Sequence, residues 1–203
     1  MIKYLLFAAT VLFISCQENN SSDSLPYIGD RTELDGTVLQ HEIRAFSFTD
    51  QLGRTVSNGD LAGKIYLTDF FFTSCPSICP KVKKQMLRIY DKVLDNDDIL
   101  LVSHTIDPKR DTPEALKTYS DNMEVNHDKW RFLTGDKEEL LDIADDYFVP
   151  AYEDQEAPGG FDHSGKVLLI DKAGRIRSFG DGTEPKEISK LMKDIDILLT
   201  EYE

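Results

Sequence analysis

Residues 65–80 have the sequence IYLTDFFFTSCPSICP, in which an apolar stretch leads directly into two cysteines. The almost continuous apolar character of residues 65–72 is typical of a strand that is covered on both faces of a sheet. A helix is predicted from Cys79 to about Leu94, because apolar side chains recur along one stripe there. Residues 99–102 form the next apolar strand, so this region predicts a strand–helix–strand unit with two parallel strands.

The remaining pattern predicts one mixed sheet with helices around it. Thr112 and Asp136 are residue types that cap the N-termini of helices, and residues 130–133 between those helices predict a short strand. Residues 167–170 and 176–179 flank a turn and predict a hairpin. A closing helix has four apolar side chains on one face, namely Ile188, Leu191, Ile195 and Leu198. The fold expected from these elements is an α/β, thioredoxin-like mixed sheet flanked by helices, in a single domain.

Composition excludes several classes of protein. The chain has 203 residues, with 37 acidic and 23 basic side chains and a formal net charge of −14. Its hydrophobic content of 40% is too high for a disordered chain, and its mean hydropathy of −0.36 excludes a polytopic membrane protein. Nucleic acid is not an expected partner, since neutralising phosphates requires clustered Lys and Arg.

The N-terminus has the pattern of an export signal. Lys3 precedes an apolar run at residues 5–14, which is too short to span a bilayer. Cys16 and a polar tract follow, and this arrangement resembles a bacterial lipoprotein signal, in which the cysteine becomes the acylated first residue. We therefore expect residues 1–15 to be a signal peptide and Cys16 to carry a lipid, in an exported protein that is membrane-anchored and faces the periplasm or cell exterior. An uncleaved anchor or a plain secretory signal is the alternative.

The segment after Cys16 predicts a linker. Residues 16–40 are rich in polar residues and lack a sustained periodicity, which is typical of a flexible tether. The folded domain is accordingly predicted to span residues 41–203.

Cys75 and Cys79 are the cysteines that lipidation leaves over, and they lie where the buried strand turns into its helix. A helix N-terminus stabilises negative charge and favours the thiolate form. A thiolate is both a nucleophile and a soft metal ligand, so metal binding and thiol–disulfide exchange both remain open. A structural disulfide would close so short a loop that it would add little stability.

The residues around the cysteines resemble a known family. Residues 70–80 fit the motif F-x-x-T-x-C-P-x-x-C-P of the Sco/SenC family, and three further matches follow in family order. These are TIDPKRDTPE at residues 105–114, WRFLTG at 130–135 and DHS at 162–164. Sco proteins are membrane-tethered, thioredoxin-fold copper carriers that help to assemble the dinuclear copper centre of cytochrome c oxidase.

The resemblance implies a copper site and a set of partners. Its ligands would be Cys75, Cys79 and His163, holding one Cu(I) or Cu(II) per domain, since thiolates suit Cu(I) and an imidazole also accommodates Cu(II). The expected function is that of a metallochaperone, with cytochrome c oxidase subunit II and a copper donor protein as partners. Ser77 stands where many members have Asp. His163 follows a segment, residues 149–162, that is expected to be a mobile loop.

Asp69 favours a different function. It interrupts the apolar strand six residues before Cys75, and thioredoxins have a similarly placed acid that accepts a proton. The alternative is therefore a thiol–disulfide oxidoreductase that uses Cys75 and Cys79 and reduces the oxidase subunit cysteines before copper loading.

Other candidate residues lie near the dithiol in the sequence. His104 ends a predicted strand and could reach the rim of the site, whereas His41 and His127 are expected to be solvated. Asp107 and Asp111 are expected to shape a turn and a helix cap. The helix after the cysteines carries a basic set that predicts either a solvated face or a docking surface for an acidic partner: Lys81, Lys83, Lys84, Arg88 and Lys92.

Overall fold

The computed structural model describes residues 24–203, and the strand–helix–strand unit predicted around the cysteines is present in it. The strands of the described residues are β1 Arg31–Leu34, β2 Thr37–Gln40, β3 Ser47–Asp50, β4 Thr55–Ser57, β5 Ile65–Phe71, β6 Ile99–Thr105, β7 Trp130–Thr134, β8 Ala151–Glu153, β9 Phe161–His163, β10 Lys166–Ile170 and β11 Ile176–Asp181. The helices are α1 Asn58–Leu61, α2 Cys79–Val93, α3 Pro113–Asn122, α4 Lys137–Asp146 and α5 Pro185–Thr200.

Seven strands form the central sheet, in the order β11-β10-β5-β6-β7-β3-β4. The three central strands β5, β6 and β7 run parallel, and the outer strands pair antiparallel with their neighbours. β5 and β6 are in register from the pair Ile65 and Ile99 to the pair Phe71 and Thr105. The predicted mixed sheet and its strand–helix–strand unit are therefore confirmed.

Helices cover both faces of the sheet. On one face α2 and α5 lie side by side, and Arg88 of α2 donates a hydrogen bond to Ser189 of α5. On the other face Tyr147, which follows α4, packs against Phe70 of β5. Because successive side chains of a strand point to opposite faces, this double cover buries every residue of β5. The dithiol follows the carboxyl end of this buried strand.

Residues 1–23 lie outside the part of the chain that the structure describes, so the signal peptide of residues 1–15 and the lipid on Cys16 stay predictions. Among residues 24–203, no helix has the length and apolar character needed to cross a membrane. The tether predicted for residues 16–40 differs from the structure in its second half, because residues 31–40 form the β1–β2 hairpin.

Arg177 fixes the N-terminal segment to the domain. Its guanidinium is 2% exposed and donates to the carbonyl oxygens of Leu25 at 2.5 Å and Pro26 at 3.2 Å. It also pairs with Glu201 at 2.7 Å, and the ring of Tyr27 lies 4.3 Å away. Composition could not reveal this clamp, since its partners are more than 150 positions apart in the chain. The folded part of the chain includes Leu25, which corrects the predicted boundary at residue 41.

The segment of residues 149–162, expected to be a mobile loop, contains a second small sheet. β8 and β9 pair antiparallel, and Ala151 lies opposite His163. The connection between them is closed by a hydrogen bond from the Asp154 N–H to the Gly160 carbonyl at 3.1 Å. His163 is thus the last residue of a hairpin strand and not a residue of an irregular loop.

Candidate metal centre

Three side chains converge beyond the carboxyl end of β5. The two sulfurs of Cys75 and Cys79 and a ring nitrogen of His163 all lie within 4.8 Å of one another. The Sγ of Cys79 is 3.7 Å from Nε2 of His163. Both cysteines are buried and free of disulfides, and His163 is half-buried. Within residues 24–203 this is the only group of three or more His, Cys, Asp or Glu side chains whose ligand atoms lie close enough to hold one metal ion.

The start of α2 places both sulfurs. Cys79 is the first residue of the helix, and Pro80 follows at a position whose N–H needs no partner. The residue that precedes the helix is Ile78, whose apolar side chain cannot accept a hydrogen bond from the amides of the first turn. Amide groups are therefore available to sulfur, and the N–H groups of Ser77 and Cys79 donate to Cys75.

The two cysteines differ in acidity. Burial by itself would raise the pKa of Cys75, but hydrogen bonds from the Cys79 thiol, from the two amides and from the Ser77 hydroxyl lower it overall. Burial raises the pKa of Cys79 well above its ordinary value, and its hydrogen bond to Cys75 acts in the same direction. Cys75 is accordingly the more acidic thiol of the pair and Cys79 the less acidic one.

His163 is held by its hairpin and by the dithiol loop. Its Nδ1 lies 3.2 Å from the carbonyl of Ser164, which leaves Nε2 directed at the sulfurs. The ring packs edge-on against Phe72. Gly159 of the same hairpin has a φ of +87° and lies so close to the loop that a Cβ would be 2.7 Å from Phe72. Burial lowers the pKa of His163, so the imidazole is neutral and can bind a metal.

Asp111 supports the dithiol loop, a role that the sequence did not predict. Its carboxylate accepts hydrogen bonds from the amide and the hydroxyl of Thr73 and from the hydroxyl of Thr105. It thus joins the segment before Cys75 to the end of the neighbouring strand. The cap of α3 is Thr112, whose hydroxyl accepts from the Ala115 N–H at 3.3 Å. The expectation of a helix cap applies to Thr112 and not to Asp111.

A comparison with protein families agrees with this geometry. A family model described as SCO1/SenC matches residues 35–199. The chain belongs to the SCO1/SenC family. A SCO1 protein homolog of Bacillus subtilis is 30% identical over 159 residues, which cover 77% of this chain and 82% of that protein.

Solved structures of SCO1/SenC proteins have the same fold. A SCO1/SenC family lipoprotein of Bacillus anthracis aligns with a TM-score of 0.71 at 26% identity, covering 78% of this chain and 95% of that one. Arabidopsis thaliana ScoI with copper bound aligns with a TM-score of 0.66 at 27% identity, covering 78% of this chain and 98% of that one. BsSco is described as a member of the Sco family of cytochrome c oxidase assembly proteins. It aligns with a TM-score of 0.65 at 29% identity, covering 76% of this chain and 92% of that one. The thioredoxin-like fold is thereby confirmed.

Asp69 of this SCO1/SenC chain has a buried partner that the sequence did not indicate. The carboxylate is paired with the ammonium group of Lys83 at 2.7 Å, and both side chains are almost fully buried. Lys83 therefore does not belong to the basic face predicted for α2. Within that set Arg88 donates a hydrogen bond to Ser189 of α5, and Lys92 is exposed but pairs with Asp196. Lys81 and Lys84 are the exposed members that form no ion pair within residues 24–203.

The other histidines do not join the metal centre. His104 is fully buried between the rings of Phe46, Phe48, Phe70 and Tyr147, and neither ring nitrogen has a hydrogen-bond partner within the described residues. His41 is half-buried, with Nε2 2.8 Å from the Asp146 carbonyl. His127 contacts Asp121 at 3.1 Å. The expectation that His41 and His127 are solvated is therefore wrong.

Proposed function

We propose that this SCO1/SenC chain is a copper carrier that binds one copper ion, as Cu(I) or Cu(II), through Cys75, Cys79 and His163. The observation that carries the proposal is the approach of the three donor atoms to within 4.8 Å of one another. Metal bonds to sulfur and imidazole are about 2.0 to 2.3 Å long, so a single ion between the three atoms can bind them all. The copper-bound relative from Arabidopsis thaliana supports copper as the metal.

The donor set suits an ion that is carried and released. Two thiolates satisfy Cu(I), and the imidazole adds the nitrogen ligand that Cu(II) prefers. Copper loading needs both sulfurs as thiolates, so it releases the proton that Cys79 holds. His163 belongs to the β8–β9 hairpin and the cysteines to the β5–α2 connection, so a movement between these elements would remove one ligand and leave two.

The proposed partners are a copper donor protein and cytochrome c oxidase subunit II, whose dinuclear copper centre would receive the metal. The membership of BsSco in a family of oxidase assembly proteins supports this destination. The proposed location is the outer side of a membrane, in the periplasm or at the cell exterior, with a lipid on Cys16 as the anchor. The export pattern of residues 1–16 and the lipoprotein relative from Bacillus anthracis support it.

A copper titration of the full-length reduced protein tests the ligand set. We expect one Cu(II) per chain and a strong sulfur-to-copper absorption band, which Cys75→Ala or Cys79→Ala abolishes. His163→Ala should weaken Cu(II) binding by at least about tenfold, since even an outer partner of a metal ligand has effects on that scale. Its effect on Cu(I) should be smaller, because two sulfurs satisfy that ion. His127→Ala, which removes an imidazole elsewhere, is the matched control. Copper binding without a thiolate band contradicts the proposal.

A thiol–disulfide oxidoreductase is the second candidate function. The low pKa of Cys75 beside the high pKa of Cys79 favours it, since a nucleophilic thiolate and a resolving thiol are what exchange requires. Cytochrome oxidase activity of cells that carry His163→Ala distinguishes the two functions. A copper carrier should lose oxidase assembly in that variant, whereas an oxidoreductase should keep it because exchange does not need the imidazole.

A further inference from the structure

A closed polar cluster lies behind the dithiol. Lys83 is one helical turn beyond Cys79 on α2, and its side chain points into the core. There it meets Asp69 of β5 and Ser103 of β6, which are paired across the two strands. Residue exposure is 4% for Lys83 and 0% for Asp69 and Ser103. Asp69 is the candidate proton acceptor of the exchange chemistry described above.

Every proton of the Lys83 ammonium group is used inside the cluster. Two hydrogen bonds go to the carboxylate oxygens of Asp69, at 2.7 and 3.0 Å, and one goes to Oγ of Ser103 at 2.9 Å. The Ser103 hydroxyl donates its own proton to Asp69 and accepts from Nε1 of Trp130 at 2.9 Å. Asp69 is thus held by three hydrogen bonds that come from groups other than the cysteines.

Aromatic rings close the cluster around the cation. Nζ of Lys83 lies 3.9 Å from the centre of the Phe71 ring and about 5.5 Å from those of Trp130 and Phe132. Rings at such distances attract a cation, most strongly where water is excluded. The charge of Lys83 is therefore held in place by the carboxylate and by the rings together.

We propose that Lys83 decides which chemistry the dithiol carries out, because it holds Asp69 in an ion pair and so removes the proton acceptor that exchange needs. The dithiol is left to bind metal. Lys83 is a positioning residue here, since it acts through Asp69 and not on a substrate. The inference rests on the proposed copper-carrier function, for which slow exchange is an advantage: a dithiol that reacts with passing disulfides is lost as a ligand pair.

The suppressed reaction has two steps. The Cys75 thiolate attacks a disulfide of the substrate, forming a mixed disulfide and releasing one substrate thiolate. Cys79 then gives its proton to a base and attacks Cys75, which forms the Cys75–Cys79 disulfide and releases the second thiolate. Two electrons pass from the dithiol to the substrate disulfide. A free Asp69 would be the base in the second step, and with Asp69 paired the proton must go to water.

Single-turnover reduction of oxidised glutathione by the full-length, pre-reduced protein tests the inference. Lys83→Met frees Asp69 and should speed formation of the Cys75–Cys79 disulfide by at least about tenfold, a smaller gain than the roughly hundredfold or more that a well-positioned base supplies. Asp69→Asn should leave the rate within about twofold of wild type, because Asp69 is already withheld. The double variant should return to the wild-type rate. Lys84→Met, which removes an exposed lysine from the next position, is the matched control.

Two results would overturn the inference. One is a folded Lys83→Met protein that is no faster than wild type. The other is an Asp69→Asn protein that is clearly slower, because Asp69 would then already be serving as a base. If Lys83→Met does not fold, as judged by circular dichroism, the Asp69→Asn rate decides alone. A separate copper titration of each variant measures metal binding. If the copper-carrier proposal is wrong, copper does not bind, and this result does not depend on the exchange rates.

Discussion

The two faces of the central sheet differ in whether their buried polar groups have hydrogen-bond partners. Asp69 and Ser103 face α2, where Lys83 completes a fully bonded cluster beneath the dithiol. His104 is the next residue of β6 and points to the opposite face, where both of its ring nitrogens lack a hydrogen-bond partner among the described residues. One position along a strand thus separates a paired buried charge from an unpaired buried imidazole.

The difference follows from what each group requires. A buried carboxylate without a counter-ion is costly, so Lys83 stabilises the charged form of Asp69 in the core. A neutral imidazole costs less when unpaired, on the order of 1 to 3 kcal/mol, and aromatic packing can offset that cost. On the face that carries the candidate metal centre the buried charges are therefore held by polar contacts, whereas His104 on the opposite face is held by the rings around it.

Breaking the Asp69–Lys83 pair should have the largest effect on stability. Lys83→Met leaves the Asp69 carboxylate buried without its counter-ion, and we expect the free energy of unfolding to fall by about 3 to 5 kcal/mol. Urea unfolding of the variant and of wild type at pH 7 measures this difference in the free energy of unfolding. Asp69→Asn combined with Lys83→Met removes both charges and should recover most of the loss. A single variant as stable as wild type would mean that the pair contributes nothing to this face.

The pH dependence of stability should reveal the unpaired imidazole on the other face. Burial, aided by the charge of Lys83, lowers the pKa of His104 from 6.5 to about 3. Between those values the unfolded chain binds the proton and the folded chain does not, so stability rises with pH. From pH 7 to pH 5 this one group should remove about 2 kcal/mol of stability. Urea unfolding at pH 7 and at pH 5 measures this loss of stability. A loss of the same size in His104→Phe would exclude His104 as its source.

Replacing the imidazole should have the smallest effect. His104→Phe keeps a ring among Phe46, Phe48, Phe70 and Tyr147 and removes two unpaired nitrogens, so we expect a gain of about 1 to 2 kcal/mol at pH 7. Thermal unfolding of the two proteins measures the gain. His104→Ala is the comparison variant, since it also removes the nitrogens but leaves a cavity and should destabilise. A destabilised His104→Phe would show that the pocket does not admit the larger ring.

The sequence predicted the central fold because its signals are local. The apolar run of residues 65–72 and the stripe that follows Cys79 each lie within one element, so periodicity alone found β5 and α2. Cys75 and Cys79 share one turn of chain and could be placed by the same reasoning. His163 is 84 positions from Cys79, and only the family motif connected them.

The missed features depend on contacts between distant residues. Lys83 was counted with the solvated face because of its charge, although Cys79, Lys83, Met86 and Tyr90 follow one another at helical spacing and are all buried. An acid inside a buried strand needs a buried partner, so Asp69 was a signal that one basic residue of α2 must point inwards. The clamp on Leu25 had no such signal, since polar composition cannot show that Arg177 binds its backbone.

The clamp on Leu25 limits how far the domain that carries the dithiol can move from a membrane anchor. Ile28 pairs with Ile176 at the end of the sheet where Ile170 meets Tyr66, and the cysteines lie beyond the opposite end of β5. With a lipid on Cys16, as proposed, eight residues separate the anchor from Leu25, and a fully extended chain between these two positions reaches about 30 Å. The dithiol lies at the end of the sheet away from this attachment, so such a short tether would limit it to partners whose copper-accepting site lies close to the membrane.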